Sequence, residues 1–145
     1  MKKLGIDLGD KWIGMAISDG LAITCRPYKT TTIEKLLPDL AEILREEPID
    51  TVVIGLPITS KGTESEQTKK VRNQKESIEK EISTSISRTI KWVLWDERLS
   101  TKRAHTTLKQ TKKKTAKKNP QQDHAIAAAF ILQSFLDSNP SALDC

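Results

Sequence analysis

The sequence predicts an α/β fold, a mixed five-stranded sheet flanked by helices. Three observations carry this reading: three short segments of branched residues within the first 32 positions, two later apolar runs that each follow a helical pattern, and a strongly apolar helix around residue 130. Strands joined by tight turns form an antiparallel meander, whereas strand–helix units add strands in parallel, so the combination gives a mixed sheet.

Residues 3–8 and 12–18 are separated by the turn Gly9-Asp10-Lys11, and residues 21–32 follow Asp19-Gly20, completing the expected meander. Ile33, Leu36, Leu37, Leu40, Ile43 and Leu44 then form the stripe of an amphipathic helix. Proline is tolerated only in a first turn, so Pro38 places the secure part of that helix at 38–46, and Pro48 ends it. The run 50–56 reads as a central strand covered on both faces. Thr63 and Glu66 have capping-box spacing and open a polar helix to Ile82, whose few apolar positions, Val71, Ile78 and Ile82, leave most of it in water. Residues 89–95 form the fifth strand, with Asp96-Glu97-Arg98 at its C-terminal end. Ser100 or Thr101 can cap a short helix running to Leu108. Asn119-Pro120 introduces the last helix, over 121–136.

At 145 residues and 37% hydrophobic content, the chain has the size of one domain, 1–145, with a single core. Its formal charge of +5 is local: residues 98–118 hold nine Lys or Arg and no acid, while the rest holds 15 basic against 19 acidic residues. Clustered charge of this kind favours a polyanion, with nucleic acid first. A membrane surface fits less well, because Leu99 and Leu108 are the only large aliphatics in that stretch. The part at 109–119 has six lysines and no apolar stripe, and is expected to be a mobile basic arm. Lys11, Arg98, Arg103, Lys112, Lys113, Lys114, Lys117 and Lys118 are the candidate phosphate-binding residues. Asp7 stands where a secretion signal would need its apolar region, and the longest apolar run, 125–132, is too short for a bilayer, which needs about 20 residues. Cys25 and Cys145 are too far apart to suggest a metal knuckle. A soluble, cytoplasmic protein, a monomer or weak homodimer, is expected.

Three acids stand out. Asp7 lies in the first strand, where a carboxylate is costly to bury unless paired or bound to a cation; the alternative is a turn-capping aspartate. Glu97 directly follows an apolar strand, a position where open α/β sheets gather ligands, or else it is an exposed acid paired with Arg98. Asp123 begins the last helix, where it could also serve simply to offset the helix dipole. An acid on strand one, another after a later strand and a third at the start of the last helix match a carboxylate cluster. Such a cluster repels itself unless protonated or neutralised by metal, and all-oxygen ligands select a hard cation such as Mg2+ or Mn2+. His124 follows Asp123, but consecutive helix positions point about 100° apart, which argues against a direct ligand role. His105 reads as a surface residue.

Gly5-Ile6-Asp7-Leu8-Gly9 with Lys11, Ile13-Gly14-Met15-Ala16-Ile17-Ser18-Asp19, Ile54-Gly55-Leu56-Pro57, Asp96-Glu97-Arg98-Leu99-Ser100-Thr101, and Asp123 with Ala127-Ala128 and Ile131-Leu132 resemble the YqgF family. These are Holliday-junction-resolvase-like nucleases assigned to maturation of the 5′ end of precursor 16S ribosomal RNA. The resemblance covers nearly the whole chain in order, and its most specific piece is Glu97-Arg98-Leu99-Ser100-Thr101. It implies a ribonuclease-H-like fold and two-metal hydrolysis with Asp7, Glu97 and Asp123 as the acidic set, and nucleic acid as partner, RNA ahead of DNA, with cleavage of DNA junctions as the alternative. The chain departs from the family at Trp12, usually arginine, and at Gln122, usually aliphatic. Two rivals use the same features: a non-catalytic nucleic-acid-binding module, and the actin and sugar-kinase group, which also reads Gly-Ile-Asp-Leu-Gly but closes two such domains around a nucleotide.

Overall fold

Alternation along the strands sorts the side chains onto two faces, and the chemistry of each face decides which helices cover it. The computed structural model describes residues 1–57, 65–97 and 120–138, with backbone alone over 120–123. The strands are β1 (Lys2–Leu8), β2 (Trp12–Ser18), β3 (Cys25–Thr32), β4 (Ile49–Leu56) and β5 (Lys91–Asp96); the helices among the described residues are α1 (Leu36–Glu46), α2 (Glu66–Ser85) and α3 (Pro120–Ser138). The sheet runs β3-β2-β1-β4-β5. The first three strands pair antiparallel, and β4 and β5 add in parallel, as the meander-then-crossover order predicts.

Leu4, Ile6 and Leu8 of β1, Ile13, Met15 and Ile17 of β2, and Val52, Ile54 and Leu56 of β4 share one face with Leu36, Leu40, Ile43 and Leu44 of α1 and Val71, Ile78 and Ile82 of α2. Burying a large aliphatic side chain stabilises a fold by about 1.5–3 kcal/mol, so this layer anchors the sheet. On the opposite face β1 and β2 carry small residues, Gly5, Gly14 and Ala16. Ala16 and Val53 pack there against Ala128, Ala129, Leu132 and Phe135 of α3. A Cβ at Gly14 would lie 2.0 Å from the carbonyl oxygen of His124, so the helix backbone rests directly on β2.

Several boundaries differ from the sequence expectation. The third strand begins at Cys25 instead of residue 21, because Asp19 closes a turn: its Oδ1 accepts from the Ile23 N–H at 2.8 Å, and Ala22 takes a left-handed φ of 57°. Pro38 sits in the first turn of α1, as required, and Ile33 lies before the helix. The cap of α2 is Ser65, not Thr63. Ser65 Oγ accepts from the Thr68 N–H at 3.3 Å and Thr68 Oγ1 accepts from the Ser65 N–H at 3.1 Å, while the buried Thr68 hydroxyl also donates to the Pro57 carbonyl. β5 begins at Lys91 instead of Thr89; Arg88 just before it donates to the carbonyls of Glu47 and Ile49. The expected helix at 100–108, His105 and the basic arm at 109–119 lie outside the described residues. No described helix is long and apolar enough to cross a membrane.

Candidate active site

Ile6 and Leu8 point into the α1–α2 layer, so strand alternation turns Asp7 to the α3 face. Its cross-strand partner in β2 is Gly14, which has no side chain to cover it. Glu97 follows the last residue of β5 and reaches over β4. A Cβ at Gly55 would lie 2.9 Å from Glu97 Oε1, so the carboxylate occupies the space that the glycine leaves. Ile54, just before Gly55, pairs with Ile6, just before Asp7, so the glycine under Glu97 is the neighbour of Asp7. From α3, His124 places Nδ1 3.4 Å from Asp7 Oδ2, with the two side chains 32% and 18% exposed.

Burial acts on both carboxyls, and the charge of Asp7 reaches Glu97. Burial pushes the Asp7 carboxyl above its ordinary value, and the His124 hydrogen bond and charge pull it only part of the way back. Burial also raises the Glu97 carboxyl, and the negative charges of Asp7 and Asp96 raise it further. Two half-buried carboxylates that repel each other can attract a hard cation or move a proton. Among the described residues no group of three or more His, Cys, Asp or Glu gathers around one point, and the pair of Asp7 and Glu97 is what the described side chains offer a cation.

The sequence matches a known family, described as RuvX, Holliday junction resolvase, over residues 1–138. The chain belongs to the RuvX family. Among the relatives of this RuvX chain, a protein of Clostridium tetani named "Putative pre-16S rRNA nuclease" is 38% identical over 141 residues, 95% of this chain and 97% of that protein. A protein of the same name from Sulfurihydrogenibium is 38% identical over 135 residues, 92% of this chain and 88% of that protein. In fold, the RuvX chain is similar to Thermus thermophilus RuvC solved with a Holliday junction substrate, with a TM-score of 0.60 at 12% identity, covering 95% and 96% of the two chains. That likeness gives the fold the ribonuclease-H-like architecture expected from the sequence.

Of the acids singled out in this RuvX sequence, Asp7 and Glu97 come together. Asp123 lies in the first turn of α3 directly before His124, and its side chain is outside the described residues. Lys11 is exposed in the β1–β2 turn, with Nζ 5.6 Å from the centroid of the Trp12 ring. Arg98, Arg103, Lys112, Lys113, Lys114, Lys117 and Lys118 lie outside the described residues. The residue that sequence reasoning set aside is His124. Rotation from Asp123 argued against a shared role, but its partner is Asp7, 117 positions away, a contact that only the packing of α3 on Gly14 creates.

Proposed function

We propose that this RuvX protein is a divalent-cation-dependent endonuclease that hydrolyses phosphodiester bonds in precursor 16S ribosomal RNA in the cytoplasm, with Asp7, Glu97 and Asp123 as its acidic set. The observation that carries the reading is the meeting of Asp7 on β1 and Glu97 just after β5, with Glu97 over Gly55 on the face beside α3. The name given to its relatives supports RNA as the substrate class. The description of the family favours a second reading, cleavage of four-way DNA junctions.

The donor set fits Mg2+ or Mn2+, two ions by family analogy: the residues are oxygen donors, and their own repulsion opposes ionisation until positive charge arrives. When bound, such ions supply Lewis acidity at the phosphoryl group and a more acidic water. Asp7 and Glu97 would hold the cation against which the reacting phosphate is placed, and neither has to act as a covalent nucleophile. Lys11 at the edge of the site, with Arg98, Arg103, Lys112, Lys113, Lys114, Lys117 and Lys118 from the basic segment, neutralises phosphate oxygens.

Labelled precursor RNA and a labelled four-way junction, each incubated with the pure protein and Mn2+ or Mg2+, test the reading. Cleavage of the RNA that stops with chelator and with Asp7→Asn is the expected result. Cleavage of the junction alone moves the substrate to DNA. Tight binding with no cleavage of either makes the protein a non-catalytic binding module.

A further inference from the structure

We propose that His124 is a positioning residue of this site: its Nδ1–H holds the Asp7 carboxylate by Oδ2 and fixes the orientation in which Asp7 meets a cation. The inference rests on the reading of Asp7 and Glu97 as cation ligands. It goes beyond that reading by giving a role to a residue outside the acidic set.

The imidazole has a place built for it. A Cβ at Gly9 would lie 2.9 Å from His124 Cε1 and 3.3 Å from Nδ1, so a side chain in the β1–β2 turn would push the ring away. Gly9 is itself held by its N–H, which donates to the Trp12 carbonyl at 3.1 Å. On the other side, Gly14 lets the backbone of His124 sit on β2, opposite Asp7. The residue is therefore held from the β1–β2 turn and from β2, with Nδ1 3.4 Å from Asp7 Oδ2, at the long end of hydrogen-bond range. An ionised carboxylate only accepts, so the nitrogen facing it carries the proton. In this tautomer Nδ1 supports Asp7, and the ring's free lone pair lies on Nε2. Partners of this kind orient the ligands they touch, and their loss weakens metal affinity about 10–100-fold.

Titration of Mn2+ into the metal-free full chain, with free Mn2+ followed by electron paramagnetic resonance, reads the effect without any substrate. The parent should bind, and Asp7→Asn should lose the site. His124→Ala should bind about tenfold more weakly. His124→Asn, whose amide N–H can take the place of Nδ1–H, should recover most of that loss. Equal binding by His124→Ala and the parent overturns the proposal, as does a His124→Asn protein as weak as His124→Ala. A parent that binds no Mn2+, or an Asp7→Asn protein that binds as well as the parent, overturns the nuclease-site reading and this inference with it. Should His124→Ala fail to fold, ring 15N spectra of the parent decide: a neutral ring protonated at Nδ1 supports the role, and one protonated only at Nε2 ends it.

Discussion

Asp7 and Glu97 hold negative charge where burial opposes it, and the fold bears the cost at neutral pH. Both carboxyls are raised in the folded state, so the folded chain binds protons more readily than the unfolded one. Stability from these groups therefore falls as pH rises from their ordinary range through their raised values, and the penalty is complete above them. Asp7→Asn should then abolish cleavage yet raise the melting temperature of the metal-free protein by a few degrees, which calorimetry with chelator present would show. An unchanged or lower melting temperature would mean that the charge is not strained. Asp50 is the opposite case. Burial pushes its carboxyl up, but hydrogen bonds from Lys3 and Thr51 outweigh that and lower it, so its contribution is lost as pH falls through the lowered value. The neighbouring acids at the end of β5 should also differ. Asp96 pairs with Leu56, whose side chain faces the α1–α2 layer, while Glu97 reaches over Gly55. Glu97→Gln should reduce cleavage about a hundredfold or more, and Asp96→Asn much less; the reverse order would show that the other carboxylate serves the site.

At the scale of elements, the seating of α3 on the sheet decides the site. A Cβ at Gly14 meets backbone, the His124 carbonyl at 2.0 Å and the Ala125 nitrogen at 2.5 Å, which cannot yield as a side chain can. Gly14→Ala should therefore destabilise the protein by about 1–3 kcal/mol or more in urea unfolding and lift α3 away from Asp7. Gly55→Ala presses instead on Ile131 Cδ1, the end of a flexible chain, and on Glu97 Oε1. Its cleavage rate should fall much further than its stability, and equal losses would show that the glycine serves packing alone. Such pairings explain what sequence reading could and could not reach. Strand and helix identity followed from periodicity. Which glycine receives which turn of α3 depends on register between segments more than 100 positions apart, and no local pattern encodes it. The cap of α2 was misplaced because Ser65 and Thr63 both offer a hydroxyl, and only the buried Thr68 contact with Pro57 selects one.

For the whole molecule, the decisive feature is charge: nine basic residues in 98–118 against a remainder with 15 basic and 19 acidic residues. An acidic body would repel a polyanion, so the basic segment is expected to govern capture while the carboxylate site governs chemistry. Each lysine set against a phosphate contributes about −0.7 to the salt slope for single strands and −0.9 for duplex. Replacing Lys112, Lys113 and Lys114 by alanine should thus reduce the slope by roughly two units, with similar affinity losses for all sequences and little change in melting temperature. A triple variant with the parent's slope would move the grip to Lys11, Arg98 and Arg103. This charge pattern is fully legible in the sequence, because it needs no folding to exist. Convergence of Asp7 with Glu97 was legible only as a placement at strand ends.

The docking of α3 across β1 and β2 also has a consequence in time. Asp7 leaves the ribosome 117 positions ahead of His124. At about 5–20 residues per second, that is a wait of roughly 6–23 seconds. Through that interval the meander can pair, but its small-residue face has no cover and Asp7 has no support. The site is thus kept from complete assembly on the nascent chain until α3 has been made and has docked.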